Sequence, residues 1–244
     1  MAANRPAGGD VRRPAFVQAV DSSMKVPELT NLPACENRMP LAEMSALKDA
    51  AMRVLVVYAH PVENSFQAAL HRRVVTTLID AGHDVDDCDL YAEGFQPVLS
   101  RQERRVYHDA DANRGFARSD IERLLGCQGL VLVFPAWWFG MPAILKGYFD
   151  RVWLPGVAFA LAGGRARPLL HEIGRFAVVT TYGSPWWLIK LMGDPSRRVL
   201  MRGIRRLLSP SVRTLWLAKY NMDFADQTSC NRFLTKVEQR MRSL

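Results

Sequence analysis

The chain contains no apolar run approaching the ~18–20 residues that a membrane-spanning helix requires. It has no Cys-x-x-Cys pair. Cys35, Cys88, Cys127 and Cys230 are widely scattered, a pattern of free thiols in a reducing, cytoplasmic setting rather than a disulfide framework. The five histidines show no metal-ligand spacing, so no metal site is expected. Neither a Gly-x-Gly-x-x-Gly fingerprint nor a P-loop follows the first apolar run, which argues against a dinucleotide-binding Rossmann domain and a P-loop nucleotide hydrolase. Nothing in the sequence matches a nucleic-acid-binding motif.

What is present is ample apolar material (49%) and a net charge of +8 over 244 residues. Residues 1–51 balance six basic groups against six acidic ones, so the whole excess lies in residues 52–244. Arg197, Arg198, Arg202, Arg205, Arg206 and Arg213 contribute much of it, in a stretch without an acid. Such a surface attracts a pyrophosphate cofactor, an anionic membrane or nucleic acid, or is simply a solvated helix face. Residues 1–51 hold five prolines, a Gly8-Gly9 pair and no sustained periodicity, the composition of an irregular or disordered N-terminal extension. A short helix around Leu41–Lys48 is the one element expected there. Met52, directly before the first apolar run, is a second candidate translation start.

From residue 52 onward strand and helix patterns alternate. Arg53–Tyr58 is a β-branched apolar run, as expected of a strand covered on both faces. Phe66, Leu70, Val74 and Leu78 recur every four residues, giving a helix over Ser65–Ala81 that Gly82 terminates. A charged strand at about His83–Leu90 belongs at a sheet edge. Beyond a long excursion with a polar helix near Arg101–His108, a short helix at Ile121–Leu125 leads into a third strand, Gly129–Phe134. A helix opening at Pro142 carries Leu145, Tyr148, Phe149 and Val152 on one stripe. Phe176–Thr181 and Val212–Ala218 are the fourth and fifth strands, joined by an arginine-rich helix over residues 195–208. A final helix spans residues 226–242. The pattern predicts an α/β fold: a doubly wound, five-stranded parallel sheet in the order 2-1-3-4-5 with helices on both faces.

In that topology three loops emerge at one sheet edge, where ligands of open α/β sheets bind. His60 ends the first strand and can donate to an anion. Ser65 and the N–H groups of Phe66 and Gln67 sit where a helix begins, which suits a phosphate, although Asn64 or Ser65 can equally serve as a plain helix cap. The second loop, Pro135, Ala136, Trp137, Trp138 and Phe139, offers an aromatic wall. The third, Thr180-Thr181-Tyr182-Gly183, offers hydroxyls to a polar ring edge. A phosphate site, an aromatic platform and a polar edge together suit a flavin nucleotide.

These three motifs resemble those of the flavodoxin-like NAD(P)H:quinone oxidoreductases, in Ala59-His60-Pro61, in Phe134-Pro135-x-Trp137-Trp138-Phe139-Gly140 with Pro142–Gly147, and in Thr180-Thr181-x-Gly183. The similarity runs from about Met52 to the C-terminus. It implies flavin contacts at His60, Ser65, Phe66, Gln67, Ala136–Phe139 and Thr180–Gly183, with FAD favoured and FMN the alternative. It also implies NAD(P)H as reductant, a quinone or related aromatic acceptor, and a homodimer whose sites are each completed by the neighbouring subunit. Phe159 and Leu161 fall where aromatic residues of the second subunit roof the site in longer members of the family. A tyrosine and a histidine of those members fall near Trp187 and Met192, so that pair is missing.

The expected activity is two-electron reduction by ping-pong hydride transfer through the flavin, with no protein acid or base required. Two alternatives remain open: a flavin-bearing ancillary subunit of a membrane transporter, for which the arginine-rich segment would be a docking face, and a flavodoxin-type electron carrier.

Overall fold

The computed structural model describes residues 51–162 and 165–244. The expectations of an N-terminal extension and of a helix at Leu41–Lys48 therefore lie almost entirely outside the described residues. Five strands form a parallel sheet: β1 (Arg53–Tyr58), β2 (Asp84–Asp89), β3 (Gly129–Pro135), β6 (Arg175–Thr181) and β7 (Arg213–Lys219). Their order is β2-β1-β3-β6-β7, the doubly wound arrangement expected from the sequence, with acidic β2 at one edge. The two further strands, β4 (Phe159–Ala162) and β5 (Arg165–Pro168), pair antiparallel as a separate hairpin.

Both faces of the sheet are dry because alternate side chains point opposite ways. Val54, Val56, Tyr58, Val131, Val133, Ala177 and Val179 face one side, where helix α1 (Phe66–Asp80) and the last helix described below cover them. Leu55, Val57, Leu130, Leu132, Phe134, Phe176 and Val178 face the other side. There they meet α3 (Arg118–Gly126), through Ile121 and Leu124, and α4 (Ala143–Val152), through Leu145, Tyr148 and Phe149. Each such Leu, Val or Phe contributes about 1.5–3 kcal/mol relative to exposure, which fixes the register: a one-residue slip would turn every apolar side chain to the wrong face.

α1 begins as its sequence demands. Ser65 is the N-cap, its hydroxyl accepting from Ala68 N–H at 3.1 Å, and Gly82 follows the helix at φ +89°. In the excursion after β2, α2 (Arg101–Arg105) is closed by a capping box between Ser100 and Glu103. Glu103 also accepts from Arg151 of α4 at 2.6 Å, which fastens the excursion to the body. A Cβ on Gly147 of α4 would stand 2.2 Å from the Pro97 carbonyl oxygen, so only glycine permits this crossing.

Three local expectations change. The β4–β5 hairpin was not anticipated, and neither was α5 (Trp186–Leu191). The arginine-rich segment is not one helix: α6 (Pro195–Arg198) passes into a π turn (Val199–Gly203) and a 3-10 turn (Ile204–Leu207). Gly203, which favours neither continuation nor packing of a regular helix, sits at that change of winding. α7 (Gln227–Met241), capped by Asp226, closes the chain and is tied to α1 by Arg73–Glu238 at 2.5 Å.

Candidate functional site

The loops after β1, β3 and β6 meet at the C-terminal edge of the sheet. Residues at the strand ends pair directly, Tyr58 with Val133 and Pro135 with Thr181. Backbone bonds continue the ladder past the strands: Ala59 N–H donates to Val133 at 3.0 Å, and Ala136 N–H to Thr181 at 2.8 Å.

In the first loop, His60 Nδ1 accepts from Val62 N–H at 3.1 Å and lies 3.0 Å from Ser65 Oγ. Nδ1 also lies 3.3 Å from the Val62 carbonyl, so its role as donor or acceptor follows the tautomer, and burial lowers the His60 pKa from 6.5. Burial thus favours the neutral imidazole, which donates through Nε2 in the tautomer whose Nδ1 accepts from Val62. Ser65 is more committed than its sequence position suggests, for its hydroxyl donates to Val62 carbonyl at 2.8 Å while capping α1. The cap reading of Ser65 therefore holds. The N–H groups of Phe66 and Gln67 bond to no backbone acceptor among the described residues, and they stand at the positive end of a fifteen-residue helix.

The second loop is a two-residue hairpin. Trp137 N–H donates to Gly140 carbonyl at 3.0 Å, and Gly140 N–H returns to Trp137 carbonyl at 2.9 Å. Between them Trp138 and Phe139 both have positive φ, 52° and 62°, the signature of a type I′ turn usually made by Asn-Gly. Left-handed backbone costs a bulky residue on the order of 1–2 kcal/mol, and such strain gathers at functional sites. Trp138 is 89% exposed and Phe139 half-buried, so the Trp138 ring does not repay its strain by packing within the chain. The N–H groups of Trp138 and Phe139 bond to no backbone acceptor among the described residues. From outside, Ser196 Oγ donates to the Phe139 carbonyl at 3.3 Å and steadies the turn. The Trp137 ring stands 6.0 Å from that of His60, which joins the first two loops.

The third loop joins the first through Thr181, whose hydroxyl donates to Gln67 Oε1 at 3.1 Å. Gln67 is 4% exposed and its Nε2 has no partner; neither has the buried Thr180 hydroxyl. Buried polar atoms of this kind normally find partners. The expectation that both threonines address one ring edge needs refinement, because neighbouring strand residues point to opposite faces: Thr181 turns toward α1 and Thr180 toward the α4 side. Tyr182 is inward-facing, 1% exposed, with its hydroxyl donating to Asp194 at 2.8 Å and its ring stacked on Tyr220 at 5.0 Å. Burial, reinforced by Asp194, raises its pKa. Its N–H and carbonyl are also taken, by Lys219 and Met222, so Tyr182 shapes the loop from beneath. Gly183 lies close under Asp223: a Cβ there would meet the Asp223 carboxylate at 2.7 Å, so a larger residue would displace that exposed side chain.

The structure therefore gathers His60, Ser65, Phe66, Gln67, Pro135–Phe139 and Thr180–Gly183 at one edge. It does not bring Phe159 and Leu161 there: Phe159 packs on the core beneath the sheet, and Leu161 is exposed on the β4–β5 hairpin. Sequence reasoning missed Asp194 and Ser196. Asp194 takes left-handed backbone (φ 48°) and, buried, holds Tyr182 and Lys190 together. The Gly193-Asp194-Pro195 turn signal, with proline opening a helix, was available to find them.

A family model described as a flavodoxin-like fold matches residues 52–206. The chain belongs to that family. It is 37% identical over 126 residues to an uncharacterized NAD(P)H oxidoreductase of Haemophilus influenzae, covering 50% of this chain and 60% of that one. It is 36% identical over 152 residues to the ribosyldihydronicotinamide dehydrogenase [quinone] of Pongo abelii, covering 55% and 65% respectively. The chain thus spans less than two thirds of the length of these curated relatives. Among solved structures, Smu.1420 from Streptococcus mutans matches with a TM-score of 0.69 and 30% identity, covering 79% of this chain and all of that one. The resemblance drawn from the three loops is borne out by the family and by the names of these relatives.

Proposed function

We propose that residues 52–244 form a flavin-dependent NAD(P)H oxidoreductase that reduces quinones or similar aromatic acceptors by two electrons. The observation that carries this reading is the strained Trp138-Phe139 turn, with Trp138 89% exposed, at the same sheet edge as Gln67, whose buried Nε2 has no partner. The residues present fit a flavin nucleotide. His60 Nε2 and the N–H groups of Phe66 and Gln67 would hold its phosphate. Trp137 and Trp138 would flank the ring, and the N–H groups of Trp138 and Phe139 would face its polar edge.

When bound, the flavin supplies the hydride chemistry, and the protein supplies position and electrostatics. The cleft takes the reductant and then the acceptor in turn, which gives ping-pong kinetics. FAD is the form implied by the family resemblance; FMN satisfies the same three loops. In the proposed homodimer, residues from the second subunit, Phe159 and Leu161 among them, roof the cleft beside the exposed Trp138, Trp186 and Trp187. No helix among the described residues is long and apolar enough to cross a membrane, and a cytoplasmic location is part of the proposal.

Steady-state turnover with menadione and each reduced nicotinamide tests it. Parallel lines in double-reciprocal plots are expected. A flavin-loaded protein that neither oxidises NADH nor NADPH would refute the enzymatic reading and favour an ancillary or electron-carrying role.

A further inference from the structure

A cavity of about 420 Å³ lies beside the aromatic turn, and its wall carries Lys190, Arg197, Arg198 and Arg202 against a single carboxylate, Asp194. That carboxylate is already committed, accepting from the Tyr182 hydroxyl at 2.8 Å and from Lys190 Nζ at 2.6 Å. Arg197, Arg198 and Arg202 join no ion pair among the described residues. Arg198 ends α6 and Arg202 lies in the π turn that follows, so both guanidinium groups line the same concavity without an acid between them. Arg197 is held over the Trp216 ring at 5.9 Å. Three uncompensated guanidinium groups around a concavity form a site whose missing element is an anion, and the forked donors of arginine match phosphate oxygens.

The cavity is coupled to the proposed cleft at two points. Ser196, inside the same segment, bonds the Phe139 carbonyl of the aromatic turn. Asp194, on the cavity wall, bonds Tyr182 of the third loop. The phosphate cradle at the start of α1 is a separate feature, built from backbone N–H groups.

We propose that this cavity recognises the 2′-phosphate of a reduced nicotinamide nucleotide and so selects NADPH over NADH. The inference rests on the nicotinamide-dependent reading above and names the phosphate subsite of the same active centre. A phosphate ester is the shared chemistry; the adenylate half of a flavin would be the other source.

Two measurements on the full chain separate these. In calorimetry with adenosine 2′,5′-bisphosphate, which needs no bound flavin, the protein should bind this probe at least tenfold more tightly than adenosine 5′-phosphate. Arg202→Ala and Arg198→Ala should each weaken it roughly tenfold, the effect of losing a charge-assisted hydrogen bond. Arg205→Ala removes the same charge outside the cavity and should leave it unchanged. In turnover, the NADPH-to-NADH ratio of kcat/KM should fall roughly tenfold in Arg202→Ala, with flavin content retained.

Equal binding of the two adenosine phosphates overturns the proposal, as does an unchanged kcat/KM ratio in Arg202→Ala. Loss of flavin from Arg202→Ala with both reductants falling alike assigns the cavity to the cofactor and also overturns it. A colourless protein that still prefers the bisphosphate, and loses that preference in Arg202→Ala, supports the anion site while refuting the flavin reading.

Discussion

Replacing Trp138 with glycine should strengthen the flavin-free fold while weakening its grip on flavin. Trp138 holds φ at 52° and is 89% exposed, so truncation forfeits little burial. Relieving left-handed strain returns about 1–2 kcal/mol, and the extra freedom of glycine in the unfolded chain takes back about 0.5–1 kcal/mol. The net gain is about 0.5–1 kcal/mol, which for a chain of this size raises Tm by about 1–4 °C. Loss of a central aromatic anchor costs about 2 kcal/mol or more in binding, roughly 30-fold in Kd. Thermal melts of flavin-stripped protein and fluorescence titration with FAD read the two effects separately. Trp138→Ala is the control: it loses the ring but keeps a Cβ in the left-handed region, so its affinity falls without the gain in Tm. A glycine variant that melts below its parent and binds FAD as tightly would refute the account of the turn.

Further outcomes follow from other contacts. Gly147→Ala forces a Cβ onto the Pro97 carbonyl at 2.2 Å and should cost about 1–3 kcal/mol; a urea midpoint indistinguishable from the parent would show that the crossing is not tight. Tyr182→Phe removes the hydroxyl that donates to buried Asp194 at 2.8 Å and should cost about 1–3 kcal/mol, measured in the same way. Burial lowers the pKa values of His60 and His83 below 6.5. Folded imidazoles then resist protonation that unfolded ones accept, so their contribution is whole above pH 6.5 and is lost as pH falls through the depressed folded values. Urea stability should decline on acidification below pH 6.5, and His60→Asn should reduce that slope; an unchanged slope would contradict a buried neutral imidazole.

The sheet was legible in the sequence because its central strands β1, β3 and β6 are buried on both faces and so read as continuous apolar runs. Leu130–Phe134 and Phe176–Val179 are two of them. Its order followed from the strand–helix alternation, and the start of α1 from Ser65 and the fourfold spacing of Phe66, Leu70, Val74 and Leu78. The β4–β5 hairpin was missed although the sequence places Gly163-Gly164 between its strands, a recognised hairpin signal; short, polar β5 offered no apolar alternation. The left-handed turn at Trp138-Phe139 was not legible, because its residues are the opposite of those that turn type selects. The role of Tyr182 was hidden for a different reason. A tyrosine in a ligand loop reads as a contact, and only its bond to Asp194, twelve positions later, reveals that it faces inward.

The central claim is that the three loops hold a flavin, and the absorption spectrum of the purified protein, with mass identification of whatever it releases on denaturation, tests that claim most directly. The account predicts flavin bands and the mass of FAD, with FMN in its place leaving the three-loop site intact. A colourless protein that takes up neither FAD nor FMN when supplied in excess would contradict it.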